Sequence, residues 1–403
     1  MKRRGFLGQV ATGVVAGVTG SVASGEEPEE ADDGPQQGGG LVTTPAVVMA
    51  PREDGVEVVW GVSRLCHGWV EWQGPDGDSG RAAKDEFGFV PQGNSVLRVK
   101  LRGWKRGAEY SLRTVTISRN GRQREESPWR KVRTLDGAAG TTRLVVWNDT
   151  HEHDDTIRAL QAATPAADFL LWNGDTCNNW IREDLLIPTL LHPAGQDITA
   201  GRPLLLTWGN HDVRGKWAFR MPEMIATPSG LPYYAFRSGP VAMIFLHTGE
   251  DKPDDHPSFE GRVAFEPLRR EQAEWLKQVI ARPEIRDAPY RVLFCHIPLR
   301  WIEEMADPGY DKGGFDHYSR RSREAWHESL VQWKTQVVIS GHTHQAQWIE
   351  ANEAFPYVQV TGGGPQFDRA TWMEITADAT ALRFQMTNLK GEVLEKREFR
   401  PVG

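Results

Sequence analysis

The chain has 403 residues, more than one average domain requires and enough to bury more than one core. Charged residues make up 25% of it and leave a net charge of -7 at pH 7, so there is no basic field for a duplex phosphate backbone or an anionic membrane, and a long nucleic acid is not an expected partner. Three cysteines, Cys66, Cys177 and Cys295, exclude a multi-disulfide scaffold.

The predicted elements begin with an address. Lys2-Arg3-Arg4-Gly5-Phe6-Leu7 sets paired arginines ahead of a mildly apolar run at 10–22. That run is shorter than the ~20 apolar residues that span a bilayer. Ser21-Val22-Ala23 supplies a small-x-small cleavage site. Residues 1–23 therefore resemble a twin-arginine signal peptide. The resemblance implies export, folded, through the twin-arginine translocase to the periplasm or the exterior, with no integral membrane segment left in the mature form. Residues 24–40 are acidic and rich in Pro and Gly without apolar periodicity, and read as a disordered linker.

Residues 41–136 carry short alternating runs at 56–60 (VEVVW), 67–72 (HGWVEW), 95–101 (SVLRVKL), 109–117 (EYSLRTVTI) and 129–134 (WRKVRT). Gly74-Pro75-Asp76-Gly77 and Arg119-Asn120-Gly121 mark turns between them. Strands at this spacing predict a small all-β sandwich. It resembles the fibronectin type III-like domain that precedes the catalytic domain of purple acid phosphatases. No cluster of metal-ligand residues falls in it, so it reads as a packing or carbohydrate-facing module.

From residue 140 to 403 buried strands alternate with helices, which predicts an α/β domain. The strands are expected at 143–148, 168–173, 203–208, 241–246, 291–295, 335–340 and 357–361, and helices at 156–166, 269–281 and 323–333. Five of these apolar runs end in metal-ligand residue types: Asp149-Thr150-His151, Gly174-Asp175, Gly209-Asn210-His211-Asp212, His296 and Gly341-His342-Thr343-His344. Ligands of open α/β sheets gather outside the carboxyl ends of the strands, so all five clusters should meet.

D-x-H, G-D, G-N-H-D, a lone H and G-H-x-H, in that order and each after a strand, resemble the calcineurin-like metallophosphoesterase superfamily from about residue 142 onward. The resemblance implies a layered αββα sandwich. It further implies that Asp149, His151 and His344 bind one ion, that Asn210, His296 and His342 bind a second, and that Asp175 bridges them. A mixed carboxylate, imidazole and amide shell without thiolate suits two transition-metal ions, divalent or trivalent, from among Mn, Fe, Zn and Co. Two such ions about 3.5–4 Å apart can share a hydroxide as nucleophile for in-line displacement at phosphorus. His211 would face the phosphoryl group and act as leaving-group acid, with Asp212 orienting it.

Purple acid phosphatases carry a tyrosine ligand three residues after the bridging aspartate, and here that position is Asn178. Asn178 and Asn179 read as turn caps. His153, Asp154 and Asp155 read as the entry to a helix, and His247 as a hydrogen-bonded loop histidine. Arg214 and Arg300, just after ligand motifs, are the expected guanidinium contacts to phosphate, and His317, in KGGFDHYSRR, sits in a loop expected to shape the pocket. Cys177 and Cys295 read as small buried thiols. The expected activity is hydrolysis of a small phosphorylated substrate, a phosphomonoester or small phosphodiester. A nuclease and a catalytically silent metal-binding scaffold are the alternatives; the acidic balance disfavours the first, and retention of both His211 and Asp212 disfavours the second.

Overall fold

Apolar, β-branched and aromatic runs form the strands, and alternation along each run decides which layer a side chain enters. In the strand Thr142–Trp147, Leu144 and Val146 enter one core while Val145 and Trp147 enter another. A computed structural model describes residues 39–85, 87–300 and 315–403, with the backbone alone for 315–319. The expected signal peptide and most of the expected linker lie outside the described residues.

Two sheets stack face to face. The first has nine strands, in the order Val393–Phe399, Leu382–Asn388, Thr371–Ala377, Thr142–Trp147, Phe169–Asn173, Leu204–Thr207, Val47–Arg52, Gly55–Gly61 and Val96–Leu101. The second has six: Tyr234–Ser238, Val241–Leu246, Tyr290–Cys295, Val337–Ser340, Val358–Thr361 and Gln347–Ile349. Leu144, Leu171 and Leu205 of the first meet Phe245, Phe294 and Ile339 of the second in the central core. Outside the first sheet Leu160 of the helix Asp154–Ala163 joins Trp147 and Trp172. Outside the second, Leu276 and Val279 of the helix Phe265–Val279 and Trp326 and Leu330 of the helix Phe315–Gln332 complete the fourth layer. The fold is thus an αββα sandwich, as expected. Among the described residues no helix is long and apolar enough to cross a membrane.

All five strands expected in 41–136 are present, and a second β layer of Ser79–Ala82, Cys66–Gln73, Glu109–Ser118 and Arg124–Glu126 packs on Gly55–Gly61 and Val96–Leu101 around Trp60, Val99 and Leu112. Several strands were not anticipated, and one of them joins the two parts. Val47–Arg52 pairs antiparallel with Gly55–Gly61 on one side and parallel with Leu204–Thr207 on the other, with Met49 opposite Leu204. The N-terminal β layer is thereby hydrogen-bonded into the catalytic sheet, and residues 40–403 pack as one compact unit. Gly55–Gly61 is buried throughout, because both of its faces are covered.

Candidate metal centre

All five expected motifs stand at the carboxyl ends of adjacent parallel strands: Thr142–Trp147, Phe169–Asn173 and Leu204–Thr207 in one sheet, Tyr290–Cys295 and Val337–Ser340 in the other. The chain turns sharply as it leaves each strand. Asp149, His151, Asp175, His342 and His344 all lie at positive φ, between 43° and 70°. Few non-glycine residues adopt this region, and when several share one spot the surrounding structure is holding them there. The motif glycines permit the close approach: a Cβ on Gly209 would stand 2.2 Å from Asp175 Oδ1, and one on Gly341 2.2 Å from Asp149 Oδ2.

Two donor clusters result, Asp149, His151, Asp175 and His344, and Asp175, His296 and His342, each with ligand atoms within 4.8 Å of one another. Asp175 belongs to both. Its Oδ2 is 3.0 Å from His296 Nε2 and 3.4 Å from His151 Nε2. His344 Nε2 lies 3.5 Å from Asp149 Oδ1 and 3.1 Å from His151 Nε2. Asn210 joins the second cluster, its Oδ1 2.8 Å from His342 Nδ1. Buried imidazole nitrogens and carboxylate oxygens converging with no thiolate among them form a donor set that fits two cations.

The ligands are held from behind. His296 Nδ1 donates to the Asn173 carbonyl at 2.9 Å, which turns Nε2 toward the carboxylates. The backbone N–H of His342 donates to both Asp149 oxygens, and Asn148 Nδ2 donates to Asp149 Oδ2 at 2.6 Å. Burial drives the His151 imidazole down to about 4 against the pull of Asp175 and Asp149, and does the same to His342. Burial also opposes charge on His296, but the Asp175 and Asp149 carboxylates outweigh it and raise that ring to about 10. The neighbouring imidazoles in turn hold Asp175 well below the usual carboxylate range, despite burial.

His211 is half-buried, its ring 4.7 Å from that of His151. Its Nδ1 donates to the Asn178 carbonyl, and its Nε2 faces Arg214 Nη1 at 3.1 Å. A guanidinium only donates, so Nε2 accepts in this arrangement. Three expectations are corrected at this point. Asp212 does not orient the His211 ring: its carboxylate accepts from the backbone N–H groups of Gly209, Asp175 and Thr176 and from the Thr176 hydroxyl, which ties the G-D and G-N-H-D loops together. Asn178 is no mere turn cap, since its side chain donates to the His151 carbonyl and to Glu152. Arg300 is not a phosphate contact: it is buried, donates to the Glu350 and Tyr357 carbonyls and stacks 4.9 Å over Phe355.

His317 begins a helix rather than lying in a loop, and its side chain is outside the described residues. His247 is buried against Trp208 and Phe265 and pushed down to about 3 by burial, a neutral packing histidine. Asp154 and Asp155 open the helix Asp154–Ala163 and pair with Arg158. Cys177 and Cys295 are buried, and burial raises both thiols, Cys295 to about 12. Sequence reasoning missed Glu250 and Asp251, which grip Arg214, although Gly249-Glu250-Asp251 also comes shortly after an apolar strand. It also missed Trp180, whose indole N–H donates to the Asp212 carbonyl and steadies the G-N-H-D loop.

Residues 142–346 match the model of the calcineurin-like phosphoesterase family. A stretch of 144 residues is 26% identical to the human serine/threonine-protein phosphatase CPPED1, covering 36% of this chain and 42% of that protein, so the match spans less than half of the curated relative. The counterpart from Pongo abelii is 25% identical over the same length. Among solved structures, purple acid phosphatase PPD1 from yellow lupin (Lupinus luteus) seeds superposes with a TM-score of 0.65 at 15% identity, over 89% of this chain and 75% of its own. PhoD superposes with a TM-score of 0.59 at 14% identity, over 92% and 94%. Both are likenesses of fold.

Proposed function

The chain belongs to the calcineurin-like phosphoesterase family and is a phosphoester hydrolase, and from that premise we propose that it cleaves phosphomonoesters or small phosphodiesters with two transition-metal ions, acting outside the cytoplasm. The observation that carries the reading is the pair of buried donor clusters sharing Asp175. Asp149, His151 and His344 would hold one ion and Asn210, His296 and His342 the other, with Asp175 shared by both clusters. What the ions supply is activation of water and neutralisation of charge on the phosphoryl oxygens. The site of action rests on the twin-arginine-like pattern of residues 1–23.

The chain's own residues then handle the leaving group. His211 Nε2 is the nitrogen that gives a proton to the departing oxygen, and Arg214 occupies that same nitrogen in the present arrangement. A proton on Nε2 ends that hydrogen bond, and the Arg214 N–H, still held beside the ring, is left for a phosphoryl oxygen. Asp212 contributes by fixing the loops that carry Asp175 and Asn210.

Purified protein loaded with Mn, Fe, Zn or Co should hydrolyse chromogenic phosphate esters and lose turnover on chelation. Monoester, diester and phosphoserine-peptide substrates run in parallel identify the substrate class, the last because the curated relative is named a protein phosphatase. A His211→Ala variant that turns over the monoester as fast as the parent would remove the proton-donor role.

A further inference from the structure

Arg214 reaches His211 from a socket that the ligand motifs do not build. Its Nε and Nη2 edge is gripped by Glu250, fully buried, with Nη2 2.7 Å from Oε2, and Nη2 also lies 2.6 Å from Asp251 Oδ1. The Nη1 edge is left pointing at His211 Nε2. We propose that Glu250 and Asp251 are positioning residues of the hydrolytic site, an acidic bracket that holds the Arg214 guanidinium edge-on so that one N–H stays directed at His211 and the phosphoryl group beside it. The inference rests on the reading of Arg214 and His211 above and adds to it what aims them.

The bracket is built to be rigid. It follows the strand Val241–Leu246, and the helix Phe265–Val279 pins its backbone: buried Arg269 donates to the Thr248 and Glu250 carbonyls at 2.8 and 2.9 Å, and buried Gln272 bonds both the N–H and the carbonyl of His247. Lys252, 2.5 Å from Asp251, balances the charge of the group. Two carboxylates across a planar fork select one orientation of the guanidinium, which a lysine could not adopt. An arginine on a loop would otherwise have to be ordered by the substrate, and a misplacement of about 1 Å in a positioning group costs roughly 100-fold in rate.

The test is a double-mutant cycle on the metal-loaded full chain, reading kcat/KM for a phosphomonoester and, separately, the affinity for inorganic phosphate by calorimetry. Glu250→Gln and Asp251→Asn should each lower kcat/KM roughly 10- to 100-fold and weaken phosphate binding, with two equivalents of metal retained. Arg214→Lys should be as impaired as Arg214→Ala. In the Arg214→Ala background either bracket variant should cost less than about threefold further, because residues acting through one group are non-additive. Equal losses with and without Arg214, or no loss in the parent, would overturn the proposal. If Glu250→Gln does not fold, Asp251→Asn, at a partly exposed carboxylate, runs the same cycle. If the parent hydrolyses no ester, the reading of the site fails on its own, while weaker phosphate binding by the bracket variants still supports the bracket and unchanged binding counts against it.

Discussion

Asp175 and Asp212 are both buried aspartates of short glycine motifs, yet their partners give them opposite work. Asp175 faces imidazoles of both clusters, so Asp175→Asn should cost both metal equivalents and about 1,000-fold in turnover, read by metal analysis and steady-state kinetics. Asp212 accepts four hydrogen bonds from its loops, and an asparagine would present a donor to some of those donors. Asp212→Asn should therefore lower stability by about 2–4 kcal/mol in urea unfolding, whereas His211→Ala should leave it within about 1 kcal/mol. His296 sets the pH dependence. Its raised pKa means that, without metal, its ion pairing with Asp175 and Asp149 stabilises the fold fully below about 6.5 and is lost as pH rises through about 10. The same proton competes with metal, while His151 and His342, pushed down to about 4, carry none at neutral pH. Metal uptake should thus release about one proton and strengthen about tenfold per pH unit across the neutral range, measured by calorimetry in buffers of different ionisation enthalpy.

The element that decides the architecture is the strand Val47–Arg52. Val48 faces the β-sandwich core with Trp60 and Val99, while Val47 and Met49 face the helical layer with Trp172 and Leu206. Met49 is fully buried and stands opposite Leu204, the first residue of the strand that leads to the G-N-H-D loop. Met49→Ala should cost about 2–5 kcal/mol in urea unfolding, far from any ligand. A fragment beginning at residue 140 should be insoluble or molten, since removing the strand uncovers both the sheet edge and the Trp147 and Trp172 layer. A soluble, cooperatively folded fragment would show that the β layer only decorates the catalytic sheet.

At the scale of the whole molecule, residues 40–403 should unfold in one transition, with fluorescence and far-UV circular dichroism coincident, because the nine-stranded sheet runs through both parts. Two separated transitions would point to independently folding domains. The seven expected strands of the catalytic part and the five of the β layer could be read from the chain because apolar periodicity and turn residues are local signals. The candidate metal donors could be read because each stands close after its strand, where backbone connectivity alone fixes its place. What lay beyond the sequence were relations between distant residues: the pairing of Met49 with Leu204, the turning of Arg300 onto the Glu350 and Tyr357 carbonyls, the Asp212 carboxylate spanning two loops, and the Glu250–Arg214 socket. Those depend on which groups remain to satisfy a buried charge or an unpaired strand edge once the chain has folded, and only the tertiary structure decides that.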